Sequence, residues 1–186
     1  MQNNKFIFCL EAVADVETHA TTQAFQKLEK LALDHGIDSI YKTCDTIEGL
    51  EDSLNALRYN DHDFKNYEII YLVVPGEPNN VCLNDYYYSL KEIAEVFEGR
   101  LKGKILHFAN TKILDLTAHE SQYFLDVTGA RAISGYGRMA DPVTSSVLDN
   151  LFFTLYEADD NVVNVVEELH RKQYTLCQML DFRLYY

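Results

Sequence analysis

Five short runs of hydrophobic residues along the chain predict β-strands. The most continuous run covers residues 69–74, where isoleucine, tyrosine, leucine and valine follow one another without a polar residue, and it stops at Pro75 and Gly76. An unbroken apolar run that ends at proline and glycine is typical of a strand buried on both faces of a parallel sheet. The other four runs cover residues 5–10, 37–43, 104–109 and 131–136.

Between these runs, hydrophobic residues recur at intervals of three and four, which predicts amphipathic helices. After the third strand, for example, Leu90, Ile93 and Phe97 would lie on one helical face. Comparable stripes follow the other strands. The chain is predicted to finish with one long amphipathic helix from residue 161 to about residue 182.

The alternation of strands and helices indicates the fold class. The connections are short, and the 186 residues contain no internal repeat. This pattern predicts a single α/β domain over residues 1–186, a doubly wound, mainly parallel five-stranded sheet with helices on both faces. We expect the strand order 2-1-3-4-5, so that the loops after residues 10, 74 and 109 converge on one crevice.

Composition and charge narrow the range of partners. The chain is 47% hydrophobic and carries a net charge of −13 that is spread along its length. Such a charge repels phosphate backbones and anionic lipids, so we expect neither nucleic acid nor a membrane as partner. The first residues lack the basic segment and long apolar core of a secretory signal, and no apolar run reaches the ~18 residues of a membrane helix. A cytoplasmic location is therefore expected.

Metal and cofactor motifs are incomplete. The four cysteines at positions 9, 44, 82 and 177 lie far apart and show no Cys-x-x-Cys or Cys/His metal spacing. Residues 135–140 have the form G-x-G-x-x-A, but a dinucleotide fingerprint belongs after the first strand of its unit, and this run follows the last strand. We therefore predict neither a metal nor a cofactor.

Four segments, in their order along the chain, resemble a known peptidase clan. They are IIYLVVPGEPNNVCL (69–83), SLKEIAEVFEGRLKGK (89–104), ILHFANTKIL (105–114) and TGARAISGYGRMADPVTSSVLDNLFFTLYE (128–157). Together they resemble the caspase-like clan, in particular its bacterial CHAT-like families. The first segment is similar to the strand that ends in the catalytic His-Gly pair, and the third is similar to the strand that leads to the catalytic cysteine. The resemblance implies a caspase-like fold.

The same resemblance implies that the catalytic pair is missing. Pro75 stands before Gly76 where the clan has histidine, and either Asn110 or Thr111 stands where it has cysteine. Proline has no side-chain group that could accept a proton, and a threonine hydroxyl needs an adjacent base in order to attack. Asp141 matches an aspartate that the relatives carry near their substrate pocket, although a role as helix N-cap already accounts for it.

The hypothesis that follows is a catalytically inactive caspase-like or CHAT-like pseudopeptidase. It would act as a regulatory domain that binds a protein or peptide partner or a small ligand. Thirteen tyrosines, three of them at positions 86–88, could supply anchors at an interface, and a homodimer is a further expectation.

Two alternatives from other functional classes stay open. The first is an active cysteine hydrolase that uses Cys82 with either His62 or His107. The second is a small-ligand or effector-binding module.

In that second alternative, the binding residues would be three acidic side chains. Glu11 and Glu77 lie close to the ends of the first and third strands, and Asp141 begins a helix. They would favour a cationic ligand.

Overall fold

The computed structural model describes residues 6–18, 20–62 and 64–186. The strands are β1 (Phe6–Ala12), β2 (Ser39–Cys44), β3 (Tyr67–Val73), β4 (Gly76–Glu77), β5 (Asn80–Leu83), β6 (Tyr86–Ser89), β7 (Ile105–Phe108), β8 (Ala132–Tyr136) and β9 (Phe182–Tyr185). The helices are α1 (Gln23–His35), α2 (Ile47–Asn60), α3 (Leu90–Val96), α4 (Ala118–Thr128), α5 (Pro142–Ala158), α6 (Val162–Lys172) and α7 (Tyr174–Leu180).

The main sheet has six strands in the order β2-β1-β3-β7-β8-β9. All neighbours are parallel except β8 and β9, which pair antiparallel. A mainly parallel α/β sheet is therefore confirmed. The predicted count of five strands is wrong, because β9 adds an antiparallel strand at one edge.

The same C-terminal segment corrects the prediction of one helix over 161–182. α6 ends at Lys172, and α7 ends at Leu180. Asp181 then adopts a left-handed φ of 51°, a conformation that aspartate tolerates better than most residues, and the chain turns into β9. The hydrophobic spacing of the two helices is similar, so the pattern alone could not show where the helical segment ends.

Both faces of the main sheet are buried, which explains the unbroken apolar runs. In β1, Phe8 and Leu10 pack on the side that carries α2, α3 and α4. Ile7 and Cys9 point to the other side, against α1, α5 and the C-terminal helices. No helix within the described residues is long and apolar enough to cross a membrane.

A small antiparallel sheet of β4, β5 and β6 is inserted between β3 and α3. β5 and β6 are joined through Asn84 and Asp85, whose φ angles are 49° and 62°. Two successive positive φ values are those of a type I′ hairpin turn, which matches the twist of the strands it connects. The insertion places a separate wall beside the carboxyl end of β3.

Candidate ligand-binding site

The carboxyl ends of three central strands open into a pocket of about 540 Å³ between α1 and α5, which we call the crevice. Glu11 lines it from β1, Tyr71 and Val73 from β3, and residues 109–111 from the segment after β7. The ends of these strands therefore meet at one edge of the sheet. This is the edge at which ligands bind in doubly wound sheets.

The innermost wall of the crevice is built around Asp149, a fully buried carboxylate on α5. Its Oδ2 accepts hydrogen bonds from the Nζ of Lys27 at 3.1 Å and from the hydroxyl of Tyr71 at 2.7 Å. Its Oδ1 lies 2.9 Å from the Nε2 of His107 and accepts a hydrogen bond from the hydroxyl of Tyr136. We call these five residues the Asp149 cluster.

The electrostatics of the cluster keep Asp149 ionised. Burial by itself raises the pKa of this carboxyl, but the charge of Lys27 and the hydrogen bonds from His107 and Tyr136 outweigh burial and hold the pKa well below its usual range. Burial and the nearby carboxylate raise the pKa values of Tyr71 and Tyr136 well above normal, so both phenols remain protonated donors. The carboxylate thus has four donors and little capacity left for a ligand.

His107 extends the cluster into the core. Its Nδ1 lies 2.8 Å from the hydroxyl of Ser134, so hydroxyl, imidazole and carboxylate follow one another as in a hydrolase triad. However, Ser134, His107 and Asp149 are all fully buried, and the ring of Phe152 stacks on the imidazole with a centroid distance of 5.0 Å. A substrate carbonyl has no access to this hydroxyl, and the arrangement supports α5 on the sheet.

At positions 110 and 111, where the resemblance would place the clan's catalytic cysteine, the polar side chains are already used in hydrogen bonds to the backbone. The hydroxyl of Thr111 donates to the carbonyl of Val74. The side-chain amide of Asn110 donates to the carbonyl of Arg138 at 3.1 Å and accepts from the N–H of Ala140 at 2.9 Å. The side chains of Asn110 and Thr111 therefore serve as structural hydrogen-bonding groups between loops.

Pro75 and Gly76, where the resemblance would place the catalytic His-Gly pair, lie at the junction of β3 and β4. Gly76 packs so closely on β5 that a Cβ added to it would lie 1.9 Å from the backbone oxygen of Asn80. Only glycine fits there without a shift of the backbone. The conformation at this position is thus determined by the small sheet.

Asn79, in the turn between β4 and β5, provides a second link between the loops that follow β3 and β7. This residue has a φ of 57°, and its side-chain amide donates to the carbonyl of Asp115. Its Oδ1 accepts from the N–H of Asp115 at 2.7 Å, and its own N–H donates to the carbonyl of Ile113 at 3.0 Å. Together with the bond from Thr111 to Val74, these contacts hold the two loops to each other.

Of the three acidic residues predicted to bind a ligand, Glu11 lies in the crevice. Its Oε2 accepts hydrogen bonds from the hydroxyls of Thr22 and Tyr41, each at 2.6 Å. Glu77 lies on β4 in the small sheet, and Asp141 caps α5 by accepting from two backbone N–H groups of its first turn. The structure therefore does not bring the three carboxylates into one site.

The residues of the alternative hydrolase also lie apart. Cys82 lines a separate pocket beside Pro75, His62 lines a third pocket beside α2, and His107 is in the core. Burial raises the thiol pKa of Cys44 to about 12. Burial also raises the thiol pKa of the cysteine at position 177 to about 11, and that of the cysteine at position 9 well above normal. These three thiols are poor nucleophiles near neutral pH.

The Asp149 cluster was not predicted from the sequence, although one of its residues stands out there. Asp149 stands between Leu148 and Phe152, which are both fully buried, so a charge falls on the apolar stripe of a helix. A buried charge requires a partner. That partner, Lys27, is 122 positions away in the sequence, and nothing local pairs the two.

Among the described residues, no group of three or more histidine, cysteine, aspartate or glutamate side chains is arranged to hold a metal ion. The crevice instead presents amine, amide, hydroxyl and carboxylate groups. Such groups can bind and orient a polar ligand through hydrogen bonds and charge.

Comparison with protein families gives a match over residues 4–186 to a family of unknown function, DUF6642. The chain belongs to this family. No curated protein matches the sequence. The family description states no activity and no relationship to the caspase-like clan, so that resemblance stays a prediction for this DUF6642 member.

Proposed function

We propose that this DUF6642 member is a caspase-like domain without peptidase activity, which binds a small ligand in the crevice and acts as a regulatory module. The observation that carries the proposal is the polar crevice at the strand ends, with a preorganised charged cluster in its wall. Its volume of about 540 Å³ falls within the range of small-molecule sites, about 300–1,000 Å³.

We infer the absence of peptidase activity from the groups at positions 75 and 111, where the resemblance would place the catalytic histidine and cysteine. Pro75 offers no base, and the hydroxyl of Thr111 is donated to the carbonyl of Val74. A hydroxyl nucleophile needs a base within hydrogen-bond reach that can accept its proton. At this position the acceptor is a backbone carbonyl, which cannot take up the proton.

The binding role is argued from preorganisation. Lys27 is anchored by Asp149 and Tyr71, at 3.1 Å and 3.2 Å, and its side chain is 16% exposed. An ammonium group has three donors, so one N–H of Lys27 is left for a ligand. Groups that are held in place before binding lose little entropy when the ligand arrives, which favours affinity.

The test combines hydrolysis and binding assays on the purified chain. We expect no cleavage of a fluorogenic peptide library, and we expect some members of a polar small-molecule library to raise the melting temperature in proportion to occupancy. Ser146→Phe would fill the crevice from α5 and abolish that stabilisation, whereas Val147→Phe, on the exposed side of the same helix, would leave it intact. Peptide cleavage, or a library in which no compound stabilises the wild type, would refute the proposal.

A second candidate, a protein-binding role, is supported by the small sheet. Tyr86 and Tyr87 on β6 are 67% and 55% exposed, and exposed aromatic side chains are typical interface anchors. A second copy of the chain is the simplest partner to test. Self-association that depends on concentration in sedimentation experiments, and that is absent from a Tyr86→Ser/Tyr87→Ser variant, would support this role. A wild type that stays monomeric up to millimolar concentration would exclude a homodimer.

A further inference from the structure

The crevice contains two charges that lack a counter-charge among the described residues. Lys30 lies three positions after Lys27 on α1, and both side chains line the crevice. The charge of Lys27 is matched by Asp149, but Lys30 has no carboxylate partner within the described chain. Among the residues that the structure describes, the Glu11 carboxylate accepts hydrogen bonds only from two neutral hydroxyls.

The positions of these two charges are linked through the start of α1. Thr22 is the N-cap of α1, and its hydroxyl accepts the N–H of Phe25 at 3.1 Å while it donates to Glu11 at 2.6 Å. The helix that carries Lys27 and Lys30 is therefore tied directly to the carboxylate that lines the crevice from β1. Glu11 and the anchored Lys27 are therefore both held in place before a ligand arrives, and Lys30 adds a second positive charge beside Lys27.

We propose that the crevice ligand is a small zwitterion that carries a carboxylate and a protonated amine. This inference rests on the proposed binding function and specifies its ligand class. The carboxylate binds the free N–H of Lys27 and the ammonium of Lys30, which are neighbours one helical turn apart. The amine of the ligand binds Glu11.

The two unmatched charges also select against simpler ligands. A plain anion can bind the two lysines but is repelled by Glu11. A plain cation can bind Glu11 but is repelled by Lys30. Charges of the wrong sign that face a competing ligand are a common source of specificity. A zwitterion of suitable length satisfies both ends at once.

The test uses named probes at constant ionic strength. Glycine, γ-aminobutyrate and 6-aminohexanoate provide zwitterions of three lengths, and acetate and methylammonium provide the two halves separately. Binding is measured by NMR titration and by thermal unfolding. We expect at least one zwitterion to bind saturably and at least about tenfold more tightly than either half, since a charge-assisted hydrogen bond contributes that much or more.

Two variants identify the binding groups, and a third serves as control. Lys30→Gln and Glu11→Gln should each weaken the best zwitterion by about tenfold or more, as expected for the loss of one charged contact. Lys30 is exposed, so its replacement should leave the fold intact. Lys102→Gln, at an exposed position outside the crevice, should leave the affinity unchanged.

The outcomes separate this inference from the proposed function. Equal binding of zwitterions and half-probes, no binding of any zwitterion, or full affinity in Lys30→Gln would overturn the zwitterion assignment. Stabilisation by other compounds that Ser146→Phe abolishes would then still uphold a ligand site in the crevice. If neither the zwitterions nor the wider library bind, both proposals fail.

Discussion

Replacing Asp149 by asparagine tests the physical account of the buried cluster most directly. The substitution keeps the shape but removes the charge that Lys27, Tyr71, His107 and Tyr136 all face. The asparagine oxygen can serve two of these donors, and its amide N–H groups would point at the others. Removing one partner from a buried ion pair costs about 3–5 kcal/mol, so we expect a loss of that size at pH 7.

The pH dependence of this loss follows from the lowered pKa of Asp149. A carboxyl whose pKa is lower in the folded state than its unfolded value of about 3.9 stabilises the fold fully above that value. The contribution is lost as the pH falls through the folded pKa. The difference between wild type and Asp149→Asn should therefore be constant from pH 7 to 5 and shrink by up to about 1.4 kcal/mol per pH unit below pH ~4.

Urea denaturation at a series of pH values measures both quantities, with unchanged m-values as the check that unfolding exposes the same surface. Asp52→Asn, at an exposed position on α2, provides the matched control and should shift stability by less than about 0.5 kcal/mol. A loss below about 1 kcal/mol for Asp149→Asn at pH 7, or a loss that stays constant down to pH 3, would show that the cluster is not the buried ion pair described above.

Three further predictions concern the loops and the thiols. Gly76→Ala should lower the free energy of unfolding by about 2 kcal/mol or more, because the new Cβ would overlap the backbone oxygen of Asn80; an unchanged melting temperature would contradict this. Lys112 is buried, and burial lowers the pKa of its ammonium group to about 8. Between about pH 8 and 10.4, Lys112 is therefore protonated only in the unfolded state, so the free energy of unfolding should rise with pH over this range. Lys112→Met should therefore stabilise the fold at pH 7 by about 2–3 kcal/mol and lose this advantage near pH 10 in thermal or urea unfolding, and a destabilised variant would speak against it. In the folded protein at pH 7.5, a thiol reagent should modify at most Cys82, and modification of a second thiol before unfolding would show that burial does not suppress reactivity.

The sequence contains most of the information needed for the sheet. Burial on both faces requires unbroken apolar strands, so residues 69–74 were recognisable without any long-range information. Helix starts are local as well: the capping boxes at Ser89 and Thr117 use only residues three positions apart. β9 was not predicted because the apolar spacing of α7 continues up to Leu180. The end of this helix is marked locally only by Asp181, which adopts a left-handed conformation.

The candidate site was predictable in position and much less so in composition. Strand order places ligand sites at the carboxyl edge, and Glu11 was expected there. The pairing of Lys27 with Asp149, and of Tyr71 with the same carboxylate, joins positions 122 and 78 residues apart. Such pairs depend on how helices pack on the finished sheet, which periodicity does not encode.

The hydrogen bonds between the loops after β3 and β7 bear on whether substitutions could give this fold a peptidase activity. Under the proposed relationship to the caspase-like clan, a new histidine at position 75 would begin a segment whose course the packing of Gly76 dictates. A cysteine at position 111 would replace a side chain directed at the Val74 carbonyl. Asn79 would still hold the two loops together. Two substitutions would thus introduce an imidazole and a thiol but would not bring them within hydrogen-bond distance. Peptide hydrolysis would also require a new conformation of both loops.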